Sequence, residues 1–158
     1  MRWPTIETPT SEHLRLDPLL VDHARAMVCV LPSPSRYAYT GGEAPSLERL
    51  QRRYASQAVG RSQDGSEGWF NWIVRGIDDD APIGFVQATI RQHDPGLVAE
   101  IAWVITPSHQ GRGMASEAAM AMTTWLRGKG VSGFVALSLI HIRRCRRSYA
   151  CIAQWVLD

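Results

Sequence analysis

Gly111 and Gly113, set one residue apart and flanked by Gln110, Arg112, Met114 and Ala115, have the types and spacing of a main-chain anion site. Glycine lets backbone approach a ligand closely, Ala115 keeps the following turn low, and Arg112 can add a positive charge. The five residues from Ile101 to Ile105 contain no polar side chain; Ile101, Trp103 and Ile105 alternate with Ala102 and Val104, the pattern of a buried strand. Pro107 ends that strand, Ser108, His109 and Gln110 form a turn, and Ala115, Ala118, Ala119 and Ala121 begin a helix. A buried strand feeding a glycine turn and a helix N-terminus gathers unpaired N–H groups, with the positive end of the helix dipole behind them. Glu100 leads the apolar run and is the candidate proton acceptor, His109 lies beside the loop, and Glu117 sits where a carboxylate offsets the dipole and ties the loop down.

The elements that position this stretch are legible on either side of it. Leu14, Leu16 and Leu19 predict a short first strand broken by Asp17-Pro18. Val21, Ala24, Met27, Val28 and Leu31 predict a helix over 20–31, stopped by Pro32 and Pro34. After a Pro- and Tyr-containing loop, Ser46 caps a helix over 47–59 whose buried positions are Leu47, Leu50, Tyr54 and Val59. Strands over 69–75 and 82–92 flank the turn Asp78-Asp79-Asp80, which reads as a solvated turn because no ligand-spaced carboxylate or histidine accompanies it. His93-Asp94-Pro95-Gly96 turns the chain into the strand over 97–105. The helix from Gly113 or Met114 ends near Gly128 and buries Met114, Ala118, Ala121, Met122 and Trp125, and 132–137 is a fifth strand. Because the last two strands are joined through a helix, they run parallel.

At 158 residues the chain is one domain, and its 45% hydrophobic and 20% charged content is that of an ordinary globular protein. No apolar run approaches the roughly 20 residues of a membrane span, and the first residues lack a signal pattern, so a cytoplasmic location is expected. Cys29, Cys145 and Cys151 show neither metal spacing nor a disulfide framework, and Cys29 is expected to be a small buried residue.

The turn at 110–115 lacks the Lys-Ser/Thr of a nucleotide-binding P-loop and the spacing of a dinucleotide fingerprint. Its pattern QxxGxA, in this strand-to-helix setting, resembles the pyrophosphate loop of the GNAT superfamily of acyl-CoA N-acyltransferases. Over 14–136 the order of elements is similar to that family, and PIGFVQATI, AEIAWVI and HQGRGMASEAA resemble the branch containing ribosomal-protein N-terminal acetyltransferases. The resemblance implies an α+β fold with a mixed, mainly antiparallel sheet flanked by helices, in which the two parallel strands splay. It implies acetyl-CoA as co-substrate, a primary amine as acceptor, and no metal. The diphosphate would lie on Gln110, Gly111, Arg112, Gly113, Met114 and Ala115, with the pantetheine arm along Val104 and Ile105. Glu100 would be the base, although relatives carry theirs about one residue earlier in register. Tyr37, Tyr39 and Arg53 lie on segments that border the acceptor in the family and otherwise read as loop and solvated helix face.

From Leu137 onward the sequence departs from the family. LSLIHI followed by RCRRSYA resembles the conceptual translation of a transposase-based sequencing adapter, so 137–158 is expected to be a non-native tail after an incomplete domain, leaving an exposed sheet edge and low stability. Tyr149 lies in this tail, so no general acid is assigned. Four arginines and one aspartate of the chain fall in these last 22 residues, which accounts for the net charge of +2. A nucleic-acid-binding tail is the alternative, but four arginines without a basic patch elsewhere bind weakly and without sequence preference. A non-catalytic CoA-binding module is the third reading. The sequence leaves the acceptor and the oligomeric state open.

Overall fold

The computed structural model describes residues 2–30 and 46–136. Tyr37, Tyr39, Cys145, Tyr149, Cys151 and the expected tail lie outside the described residues.

Strands β1 (Leu14–Pro18), β2 (Glu67–Gly76), β3 (Pro82–His93), β4 (Gly96–Ile105) and β5 (Val131–Ala136) form one sheet in sequence order. The first four are antiparallel neighbours, and β5 joins β4 in parallel, as the intervening helix requires. The described helices are α1 (Ala24–Val30), α2 (Leu47–Ala58) and α3 (Met114–Gly128), the first preceded by a 3-10 turn at Val21–His23. This is the α+β, mostly antiparallel architecture that the element order predicts. Asp17 and Pro18 close β1 rather than break it, because an edge strand tolerates a residue with no N–H to donate.

α3 covers one face of the sheet. Ala118, Met122 and Leu126 recur every fourth residue and are fully buried against Leu16, Trp72, Val86 and Ile101. The N-terminal segment clasps this core: the Trp72 indole N–H donates to the Glu7 carbonyl at 2.8 Å, and Trp125 packs edge-on to Trp72 with ring centroids 5.4 Å apart. α1 and α2 cover part of the other face through Met27, Leu50 and Tyr54, packed on Ile73 and Phe85. Ser46 caps α2 by accepting from the Arg49 N–H at 3.2 Å.

Three burial expectations are corrected. Val21 and Val59 are exposed, because the chain is a 3-10 turn at Val21 and has left α2 at Val59. Cys29 is exposed as well: with Ala24 and Met27 facing the sheet, position 29 falls on the opposite side of the helix. The turn at Asp78–Asp80 is solvent-exposed; Asp80 pairs with Arg15, and Asp79 accepts from the Ala81 N–H at 3.1 Å.

Candidate active site

β4 and β5 are paired from Leu97↔Val131 to Ile101↔Ala136. Beyond Ile101, β4 continues for four residues with β3 on one side and no β5 partner among the described residues. Its end is held firmly on the β3 side. Gly84 lies against it so closely that a Cβ there would sit 1.9 Å from the Val104 carbonyl oxygen, and the Thr106 N–H donates to the Ile83 carbonyl at 2.7 Å. Only glycine permits that approach.

After a 3-10 turn at Pro107–His109 the chain passes through Gly111 and Gly113, both left-handed at φ 79° and 74°, into α3. A Cβ at either glycine would meet nothing within 4 Å, so the protein's own packing does not demand glycine there; the backbone conformation does. The first hydrogen bond of the helix runs from the Glu117 N–H to the Gly113 carbonyl at 3.0 Å. Gln110 and Gly111 lie in a hydrogen-bonded turn that follows the 3-10 turn, and among the described residues no acceptor is found for the N–H groups of Gly113 through Ser116. These donors converge at the positive end of a 15-residue helix, the physical requirement for holding an anion.

The donors open on a cleft of about 390 Å³ that brings together Val104, Ile105, Gln110, Gly111, Gly113, Met114 and Ala115. It also takes in His109, whose place before the turn suggests a contact with CoA or solvent, and adds Trp103 and Ser116, which the sequence had not assigned to the ligand. Ser116 was legible as a first-turn residue; Trp103 was not, since alternation alone places it in the core. Gln110 plays a different part from its neighbours. Its side-chain amide donates to the Ile105 carbonyl at 2.9 Å and fastens the loop to the strand end. The His109 Nδ1 lies 2.9 Å from the Thr106 hydroxyl and 3.0 Å from that of Ser108, which fixes the ring at the cleft wall. Arg112 lies outside the cleft lining, exposed beside it.

Glu117 turns away from the loop. Its carboxylate accepts from the Ser11 hydroxyl and the His13 N–H, both at 2.8 Å, and meets His13 Nδ1 at 3.2 Å, so it ties the first turn of α3 to the start of β1. Burial opposes its ionisation, but these donors outweigh it and hold the carboxyl below its ordinary value.

Glu100 does not line the cleft. It lies in the middle of β4, opposite Thr89 and Val135, and Arg91 reaches it at 3.3 Å. Unbroken β3–β4 register places Glu100, Ala102 and Val104 on the face opposite α3, together with Thr89, Gln87 and Phe85. Among the described residues no group of three or more His, Cys, Asp or Glu could hold a metal ion, and no helix is long and apolar enough to cross a membrane.

Residues 13–149 match the model of the acetyltransferase (GNAT) domain. No curated protein sequence matches the chain significantly. Among solved structures, the fold is similar to the ribosomal-protein alpha-N-acetyltransferase RimL in complex with coenzyme A, with TM-score 0.69 and 17% identity over 93% of this chain and 82% of that one. It is similar to a GNAT-family acetyltransferase of Bacillus anthracis, with TM-score 0.62 and 17% identity over 82% and 72% of the two chains. Glucosamine-6-phosphate N-acetyltransferase of Arabidopsis thaliana aligns with TM-score 0.60 and 10% identity over 88% and 91%. At these identities the likeness is one of fold, and it spans a protein and a sugar phosphate as acceptors.

Proposed function

Because the chain belongs to the GNAT acetyltransferase family, we propose that it transfers an acetyl group from acetyl-CoA to a primary amine, a protein N-terminus or a small molecule, in the cytoplasm. The observation that carries this reading is the row of unengaged N–H groups from Gly113 to Ser116, just past the end of β4. A diphosphate is the anion suited to a row of that length, with Arg112 beside it for further charge. The cleft and its open glycine positions fit the group: the diphosphate on residues 111–116, and the pantetheine arm along Val104 and Ile105.

When bound, acetyl-CoA supplies an acyl carbon activated as a thioester: the amine nitrogen bonds to it as the C–S bond breaks, the amine gives up a proton, and the departing sulfur takes one up. The chain's own part is to fix that carbon and to receive charge. Gln110 and Gly84 hold the end of β4 in place, and a backbone N–H of this strand polarises the carbonyl oxygen. Glu100 shares a face with Val104 but stands four residues upstream, about 13 Å along the strand. In this reading it takes the amine's proton through a relay of several waters over the small Ala102 side chain. Glu100→Gln then lowers kcat by about tenfold or more, within the usual worth of a general base, with the Kd for CoA unchanged. An unchanged kcat removes Glu100 from the mechanism.

The position of Glu100 outside the cleft also favours a second reading, a CoA-binding module without catalysis. An acetylation assay of the full chain, with acetyl-CoA and amine or peptide acceptors followed by free-thiol release, separates the two. Thiol release dependent on the amine supports transfer; CoA binding without it supports the module.

A further inference from the structure

Beside α2, at the stretch of β2 that β1 leaves unpaired, two cavities meet. The outer one, about 440 Å³, has Trp3, Trp69, Arg2 and Arg61 among its walls. The inner one, about 40 Å³, reaches Arg53, Phe85 and Gln87. Leu19, Gln57 and Asn71 line both, so they form one groove. The sheet register fixes where it leads. Phe85 pairs with Val104, the strand end at which the acyl carbon is placed above, and Gln87 pairs with Ala102. Phe85 also pairs with Ile73, four residues along β2 from Trp69 at the outer end, a span of about 13 Å.

The charge of this groove is one-sided. No Asp or Glu lines either cavity, whereas Arg2, Arg53 and Arg61 do. These three make no ion pair among the described residues, although Arg15, Arg75 and Arg91 each have a carboxylate partner. α2 adds exposed Arg49 and Arg52 against one carboxylate, Glu48. Glu67, beside Trp69, is engaged with Arg91 at 2.6 Å and with the Trp69 indole at 3.1 Å. An amine is mostly protonated in water, so a small cationic acceptor is repelled here. An α-amine, with a pKa near 8 against about 10.4 for a lysine side chain, loses its proton more readily.

Resting on the acyl-transfer reading, we infer that the acceptor is the N-terminal α-amine of an extended polypeptide carrying acidic residues about three to five positions in. Its first residue sits at Phe85 and Val104, polar main chain meets Asn71 and Gln87, and the acidic side chains lie among Arg53, Arg61 and Arg2, with Trp69 stacking beside them. The amide N–H and carbonyl groups of the extended chain suit the Asn and Gln amides, and the arginine forks suit carboxylates.

The test is steady-state acetylation by the full chain of two seven-residue peptides with the same first two residues, one with Glu and one with Lys at positions four and five. CoA binding is measured separately by calorimetry. The expected result is a kcat/KM at least tenfold higher for the Glu peptide, expressed in KM and shrinking as salt is raised. Arg53→Glu combined with Arg61→Glu, both on the surface, reverses the preference while the CoA Kd stays unchanged. Equal kcat/KM for the two peptides overturns the inference, as does a lysine side chain or uncharged small amine used as well as the Glu peptide. CoA binding with neither peptide acetylated overturns the peptide acceptor and leaves the carrier site standing. Failure to bind CoA overturns both.

Discussion

Gly113 is glycine for its φ of 74° and for the empty space in front of it. Gly113→Ala is expected to cost about 1 kcal/mol of stability from left-handed strain and to weaken CoA binding by about tenfold or more, because the new methyl group stands where the diphosphate must approach. Calorimetry beside a thermal melt separates the two effects. At Glu117 the prediction concerns pH. Its carboxyl is held below the ordinary 4.5 in the folded chain, so its contribution is complete above 4.5 and is lost as pH falls through the lowered value. Glu117→Gln should cost about 1–2 kcal/mol at pH 7, and urea melts should show that difference shrinking in the acid range below 4.5. A difference independent of pH would remove the charge from the account. The glycine motif was readable because its residue types have few other uses. The roles of Gln110 and Glu117 were not, since both depend on partners remote in the chain or on a carbonyl whose direction only the fold sets.

The strand end that carries the site depends on its neighbour. Gly84→Ala would drive a Cβ into Val104 backbone, where nothing can yield without moving β4, and is expected to destabilise by about 3 kcal/mol with a disproportionate loss of CoA affinity. Gly128→Ala is the matching control: its Cβ meets nothing, and at a helical position it should be neutral or raise stability by up to about 1 kcal/mol. Denaturant melts of the two variants give the comparison. The strands were legible to within a residue or two because alternation of apolar residues is a direct record of a two-sided sheet. The helix expected over 20–31 begins as a 3-10 turn at Val21–His23 and is helical from Ala24 through Val30, the last described residue before position 46: apolar spacing records a face, not where regular backbone begins. Gly84 read as one more residue of a strand, because its necessity arises from a carbonyl some 20 positions away along the sequence.

Across the whole molecule the two sheet faces divide the work. One is closed by α3 and the N-terminal segment into an aromatic and aliphatic core, and presents amides at its upper edge. The other carries α1 and α2, and beside α2 a groove with arginines at its walls opens at the edge of β2. This division was only half legible. The sequence placed the basic excess in the last 22 residues, yet the described residues carry unpaired arginines on α2 and beside it, which a net charge cannot reveal because balanced totals hide where charges sit. The measurement that bears most directly on the central claim is a calorimetric titration of the full chain with CoA and, separately, with pantetheine, which lacks the diphosphate. The account predicts a micromolar Kd for CoA, about −8 kcal/mol, and binding of pantetheine weaker by about a hundredfold. Equal affinities, or no heat with CoA, would contradict it.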